Sequence, residues 1–195
     1  ITNLGLASVE SLVSDDQVAF LVAEAAQGHL DLNGDGDTSD VVMHCYSPAR
    51  GVQNLGLAVP SFPIVPRPVV FRLDGQLLAF LVSEPSQGGL DLNGDGDAVD
   101  SVLFAYDGST GIVRDLRLAP GEGMFAENQF GVSDPWIVFG VAEPSQGSGD
   151  LNGDGDKRDL VAHAYRSDTG TIRNLGLATT FQDPYPAGNG FVAFL

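Results

Sequence analysis

Residues 31–40 read D-L-N-G-D-G-D-T-S-D, residues 91–100 D-L-N-G-D-G-D-A-V-D and residues 150–159 D-L-N-G-D-G-D-K-R-D. The stretch recurs after 60 and then 59 residues, so the chain must first be read as a repeat of one supersecondary unit. Seven residues before each loop an apolar run ends in glutamate: V-A-F-L-V-A-E at 18–24, L-A-F-L-V-S-E at 78–84 and I-V-F-G-V-A-E at 137–143. Behind each loop comes a second apolar run, V-V-M-H-C-Y, S-V-L-F-A-Y or L-V-A-H-A-Y. A glycine-containing turn follows, and then N-L-G-L-A, or its variant D-L-R-L-A at 115–119.

These runs are short, rich in branched and aromatic residues, and separated by turns that use many of the chain's 25 glycines and 11 prolines. The class is therefore all-β. Each unit offers three clear strands and a weaker fourth, seen at Val69 to Leu73 and Gln129 to Ser133. About 60 residues with four short strands is the size of a β-propeller blade with one enlarged loop between two strands; a stack of small sheets is the alternative. The phase divides the single domain 1–195 into residues 1–7, the last strand of a split unit, repeats at 8–57, 58–118 and 119–177, and residues 178–195, the first strands of the split unit. Ile1 to Ala7 and Phe191 to Leu195 are accordingly expected as strands. The split unit lacks its own glutamate and aspartate loop, which predicts either continuation into further repeats or self-association into a larger ring or a fibre.

The loops carry oxygen side chains at positions 1, 3 and 5, the spacing that wraps ligands around one hard cation. These are Asp31, Asn33 and Asp35; Asp91, Asn93 and Asp95; and Asp150, Asn152 and Asp154. Glycine at position 6 supplies a sharp turn, and Asp37, Asp97 or Asp156 at position 7 can offer a carbonyl, as in an EF-hand loop. An EF-hand closes its shell with a glutamate at position 12, where this chain has Val42, Val102 or Val161. Asp40, Asp100 and Asp159 are the candidates to replace it, and Glu24, Glu84 and Glu143 either reach in from the preceding strand or are solvated strand ends. Asn-Gly and Asp-Gly are also ordinary hairpin-turn residues, but four acids per loop, three times over, would repel one another without a cation. Three Ca²⁺ ions per chain are expected.

With strands on both sides, D-L-N-G-D-G-D-x-x-D resembles the β-hairpin calcium loops of integrin alpha-chain propellers and the loops of secreted bacterial calcium-binding repeat proteins. Its first six residues also resemble dockerin loops. The likeness covers the loops closely and the blades in outline, and the integrin-type closing aspartate stands one residue earlier than here. It implies a calcium-stabilised β-propeller of the cell exterior.

Net charge is −17, from 26 acidic and 9 basic residues, which excludes the usual electrostatic basis for nucleic-acid binding. No apolar run approaches the ~18 residues of a membrane-spanning helix. One cysteine, Cys45, cannot form an internal disulfide, so bound metal is the expected staple for a secreted or cell-surface protein. The start at Ile1 reads as a processed product or an excerpt. His44 and His163, equivalent to Phe104, read as packing residues, Cys45 as a buried thiol, and Tyr46, Tyr106 and Tyr165 as blade-core or hydrogen-bonded rim residues. The connection after N-L-G-L-A varies in length and carries Pro60, Phe62, Pro63, Pro66, Met124, Phe125, Phe181 and Tyr185, a candidate binding face for a glycan or protein ligand, or packing between blades. No nucleophile elbow, phosphate loop or zinc motif is present, so the expected function is a non-enzymatic structural or adhesive calcium-binding protein. A ligand-binding propeller module and a propeller enzyme are the alternatives.

Overall fold

The computed structural model describes residues 3–61, 70–120, 130–147, 149–179, 187–188 and 191–192. They form three four-stranded antiparallel meanders. The first comprises β1 (Ser8–Ser14), β2 (Gln17–Ala23), β3 (Val41–Ser47) and β4 (Gly51–Ala58). The second comprises β5 (Phe71–Asp74), β6 (Leu77–Ser83), β7 (Ser101–Asp107) and β8 (Ile112–Asp115). The third comprises β9 (Phe130–Ser133), β10 (Trp136–Ala142), β11 (Leu160–Arg166) and β12 (Thr171–Thr179). A hairpin of β13 (Ala187–Gly188) and β14 (Phe191–Val192) lies beside β9, as β9 lies beside β5 and β5 beside β1. Apart from the 3₁₀ turns Pro85–Gln87 and Pro144–Gln146, no helix occurs among the described residues, and none there is long and apolar enough to cross a membrane.

The strands stand where the repeat put them, the weaker fourth strand being β5 and β9; Val69 and Gln129, the first residues of those expected segments, lie outside the described residues. One difference concerns the ends. Residues 3–7 join no ladder among the described residues, although the repeat predicts a strand there. Of Phe191 to Leu195 only Phe191–Val192 is described, and it is a strand.

Neighbouring sheets pack face to face, because side chains alternate along each strand. Ala19, Leu21, Met43 and Cys45 of the first sheet meet Leu78, Phe80, Val82, Val102, Phe104 and Tyr106 of the second. The opposite face of the second sheet, with Leu77, Ala79, Leu81, Leu103 and Ala105, meets Phe130, Ile137, Phe139, Val141 and Tyr165 of the third. All seven residues of β6 are consequently buried, which is why L-L-A-F-L-V-S shows no apolar-polar alternation. Burying each such Leu, Val or Phe contributes ~1.5–3 kcal/mol, so the two inter-sheet layers are the main source of stability.

The last strands β4 and β12 each carry a bulge. The ladders of β3 with β4 and of β11 with β12 slip between Val42 and His44 and between Val161 and His163. The extra residue needs left-handed backbone, supplied by Gly56 (φ 67°) and Gly176 (φ 66°). In the second repeat Arg117 takes that conformation (φ 57°), at a cost of roughly 1–2 kcal/mol for a residue with a Cβ. There the ladder ends at Asp115, but Leu116 N–H still donates to the Leu103 carbonyl (3.1 Å) and Leu103 N–H to the Leu118 carbonyl (2.9 Å).

Candidate metal centres

The three loops begin with the same turn. Asp31 at position 1 accepts hydrogen bonds from Gly34 N–H (2.6 Å) and Gly36 N–H (3.1 Å), and Asp91 and Asp150 repeat both bonds at the same distances. Closing a five-residue turn this tightly requires φ near 100° at position 6. Gly36, Gly96 and Gly155 adopt 101°, 106° and 101°, a region closed to other residues. Position 5 accepts from position 7: Asp37 N–H to Asp35 is 3.0 Å, Asp97 N–H to Asp95 3.1 Å and Asp156 N–H to Asp154 3.0 Å.

The glutamates are not solvated strand ends. Glu24, Glu84 and Glu143 are all 0% exposed. Glu24 uses both carboxylate oxygens on the loop backbone, Oε1 accepting from Leu32 N–H (2.6 Å) and Oε2 from Asp40 N–H (2.9 Å). Glu84 accepts from Leu92 (2.7 Å), Asn93 (3.4 Å) and Asp100 (2.9 Å), and Glu143 from Leu151 (2.6 Å) and Asp159 (3.0 Å). A buried carboxylate needs such partners, and these bind the second residue of the loop and its tenth to one point.

Around that point three carboxylates converge in each repeat: Glu24, Asp37 and Asp40; Glu84, Asp97 and Asp100; Glu143, Asp156 and Asp159, each group with ligand oxygens within 4.8 Å of one another. Oxygens around one Ca²⁺, at ~2.3–2.6 Å each, spread over about that distance. The aspartate at position 7 thus enters by its side chain, whereas the EF-hand comparison has it offer a carbonyl. Asn33, at position 3, donates from Nδ2 to Asp40 Oδ2 (3.4 Å), leaving its buried Oδ1 with no hydrogen-bond partner. An orphaned oxygen beside clustered carboxylates fits a hard cation, and every side-chain donor in the set is oxygen, which disfavours zinc and other soft-ligand metals. Asp40 shows the electrostatic consequence. Burial pushes its pKa up to about 6, helped by the charges of Asp35, Asp37 and Glu24 and opposed by a hydrogen bond involving Ser86. Asp159 is also raised: the Asn152 bond lowers it, but desolvation and the charges of Asp154 and Asp156 prevail.

The first two loops also bridge to the next repeat. Asn33 Nδ2 donates to the Ser86 carbonyl and Asn93 Nδ2 to the Ser145 carbonyl, both at 2.8 Å. Gly147 N–H donates to Asp95 (3.2 Å), and a Cβ on Gly88 would stand 3.3 Å from the Asp35 Cβ. Within its own repeat the loop is tied to the last strand, Asn54 Nδ2 to the Leu32 carbonyl and Asn174 Nδ2 to the Leu151 carbonyl, each 2.8 Å.

Sequence reading missed the glutamine three residues after each glutamate. Gln87 accepts from Ala58 N–H (2.8 Å) and donates to the Gly56 carbonyl (3.2 Å), clamping the last strand of the preceding repeat. Gln146 does the same to Ala119 (3.0 Å) and Arg117 (3.2 Å), and Gln27 to Ala7 (2.7 Å) and Gly5 (3.1 Å). Its fixed offset was the available signal. His44 and His163 are buried, stack near Phe20 and Phe139, and have pKa values lowered by desolvation, partly offset by bonds to their neighbours' carbonyls. Cys45 is a buried free thiol, as expected. Of the apolar residues in the variable connection only Pro60 is among the described residues.

No protein-family model matches the chain, and no curated protein does. Among solved structures it is similar to AtxE2 isopeptidase in its apo form, with 13% identity and a TM-score of 0.24, over 82% of this chain and 24% of that one.

Proposed function

We propose that this is a non-enzymatic, extracellular calcium-binding structural protein, in which one Ca²⁺ per repeat holds the loop, the strands flanking it and the adjoining repeat in fixed relation. The observation that carries this reading is the threefold recurrence of a carboxylate trio within 4.8 Å, accompanied in the first repeat by the orphaned Asn33 oxygen. Ca²⁺ here neutralises acids that otherwise repel, and its ligands span the end of one strand (Glu24), the loop (Asp37) and the start of the next strand (Asp40). Millimolar extracellular calcium would load sites of this kind, which supports a location outside the cell, where bound metal would take the place of the internal disulfide that a single cysteine, Cys45, cannot form. Stacked meanders whose first strands follow one another support a propeller arrangement.

Isothermal titration of chelator-treated protein with CaCl₂ tests the reading. Three sites per chain are expected, with Asp40→Asn, Asp100→Asn and Asp159→Asn each removing one. Absence of a binding isotherm at millimolar Ca²⁺ would overturn it.

A further inference from the structure

The turns that follow Glu84 and Glu143 each belong to two candidate metal sites at once. Glu84, a carboxylate of the second site, opens the 3₁₀ turn Pro85–Gln87 with helical backbone (φ −59°, ψ −45°). Its carbonyl accepts from Gln87 N–H (3.1 Å) and Gly89 N–H (2.9 Å). Glu143 of the third site opens Pro144–Gln146 in the same way (φ −56°, ψ −39°), and its carbonyl accepts from Gln146 N–H (3.2 Å). The backbone that aims each of these carboxylates is thus part of its turn.

The metal loop of the preceding repeat grips that turn. Asn33 Nδ2 donates to the Ser86 carbonyl (2.8 Å), and Asn33 is the residue whose Oδ1 stands without a partner in the first site. The Ser86 hydroxyl also bonds Asp40, a carboxylate of that same site. Ser86 therefore holds two residues of the first site while standing two positions from Glu84 of the second. At the next junction Asn93 Nδ2 donates both to Asp100 of its own site (3.1 Å) and to the Ser145 carbonyl (2.8 Å), two positions from Glu143. Gly147 N–H adds a bond to Asp95 (3.2 Å).

Without a cation the carboxylates of a site repel one another, which works against the closed loop. An ion that draws Asp37, Asp40 and the Asn33 oxygen together also fixes the Asn33 amide, and with it the turn that aims Glu84. Ordering this junction costs conformational entropy, and a second ion entering beside an ordered junction does not meet that cost again. The effect is reciprocal, since a filled second site holds the same turn in place for Asn33. The contrary tendency, in which neutralising one acidic site weakens the pull of the next on a cation, acts through space and is screened over ~8 Å at physiological salt.

We propose that the calcium sites of neighbouring repeats load cooperatively through the Asn33–Ser86 and Asn93–Ser145 contacts, each ion tightening the site across the junction. The inference rests on the reading of the loops as calcium sites. Among the described residues no such contact joins the first loop to the third repeat, so the first and third sites are coupled only through the second.

Calorimetric titration of chelator-treated whole chains with CaCl₂ at physiological salt tests it. Asp159→Asn leaves the first and second sites, Asp40→Asn the second and third, and Asp100→Asn the first and third. Asp40→Asn combined with Asp159→Asn leaves the second alone. Both adjoining pairs are expected to bind cooperatively, the second site taking its ion about fivefold or more tightly beside a filled neighbour than alone, the low end of usual coupling between sites. The Asp100→Asn chain is expected to show two independent sites. Amide hydrogen exchange reads the junction without reference to affinity. In the chain carrying Asp100→Asn and Asp159→Asn, which keeps the first site only, calcium is expected to slow the Gln87 and Gly89 amides of the second repeat, relative to amides of the β6–β7 ladder that report global opening. Ions that bind with the same affinity whether or not the neighbouring site is deleted, with no change at Gln87 and Gly89, overturn the coupling and leave the calcium reading standing. Cooperativity as strong in the Asp100→Asn chain as in the adjoining pairs overturns the route through the junctions. A lack of any isotherm in every chain removes the calcium reading, and the coupling with it.

Discussion

Glu84 and Asp100 are joined twice: Glu84 N–H donates to the Asp100 carbonyl at 3.0 Å, and the Glu84 carboxylate accepts from Asp100 N–H at 2.9 Å. The pair closes the seventeen-residue excursion between β6 and β7 at its neck, and both side chains belong to the same oxygen cluster. In the proposed metal site, structural closure and ligation would therefore share one carboxylate.

Glu84→Gln places an amide NH₂ where a carboxylate oxygen faces backbone N–H groups. Losing a buried acceptor costs ~1–3 kcal/mol. We expect a lower melting temperature even in chelator, together with loss of one of three calcium sites by titration. A variant with normal calcium uptake and an unchanged melt would show that the loop holds itself without Glu84.

Calcium should be a large share of stability. At a free concentration one hundred times Kd, each site adds ~2.7 kcal/mol, against ~5–15 kcal/mol for a whole domain. Excess chelator is expected to lower the melting temperature steeply, and calcium, more than magnesium, to restore it. An identical melt in chelator and in calcium is the contrary result.

Calcium affinity should fall as pH drops through about 6, because Ca²⁺ must displace a proton from Asp40. The sign for stability follows from the same raised pKa. Between the unperturbed value of 3.8 and about 6, the metal-free folded state holds a proton that the unfolded state has released. That contribution is present at low pH and is lost as pH rises through about 6. Calcium titrations at a series of pH values, with Asp40→Asn as control, would read it.

His44 and His163 act in the opposite direction. Their pKa values are lowered by burial, so on unfolding they gain protons below about 6.5 and stability is lost as pH falls. Phe104 fills the equivalent place in the second repeat, where it packs on Phe80 with centroids 6.0 Å apart. The double variant His44→Phe, His163→Phe should fold, lose this acid sensitivity and isolate the Asp40 contribution. Unchanged acid unfolding in the variant would assign the sensitivity to the carboxylates alone.

Cys45 is buried, and desolvation pushes its pKa up to about 12. A thiol reagent should label it only as the first and second sheets separate, faster after chelation than before. Rapid labelling of calcium-loaded protein would show that this interface opens readily.

The strands and loops were legible in the sequence because both are local patterns. Apolar runs such as L-A-F-L-V-S were bounded by turns, and Asp31 with Gly36 marked the loop turn, whereas the carboxylates that converge, Glu24, Asp37 and Asp40, do not include Asp31 or Asp35 of the expected ligand spacing. The glutamates were harder to place. Seven residues before a loop, Glu24 can be read as a ligand or as a solvated end, and only the antiparallel pairing of β2 with β3, which brings Glu24 back against Asp40, distinguishes the two. Residues 3–7 repeat the sequence of 54–58 but join no ladder among the described residues, because a strand needs a partner and sequence identity carries only the local backbone conformation. Asn3 still bonds Gly5 N–H (2.8 Å) as Asn54 bonds Gly56 N–H (2.8 Å).

By itself the sequence determined the all-β class, the repeat, the loop turns and the acids available to a cation, since each depends on side-chain periodicity or on spacing within a few residues. Tertiary structure alone decided which acids meet, that the glutamates are buried, and that Gln87 and Gln146 fasten each repeat to the one before. Those relations depend on register across strands and between sheets. A hydrogen bond from Asn33 to Ser86, fifty-three residues away, leaves no local pattern in either residue.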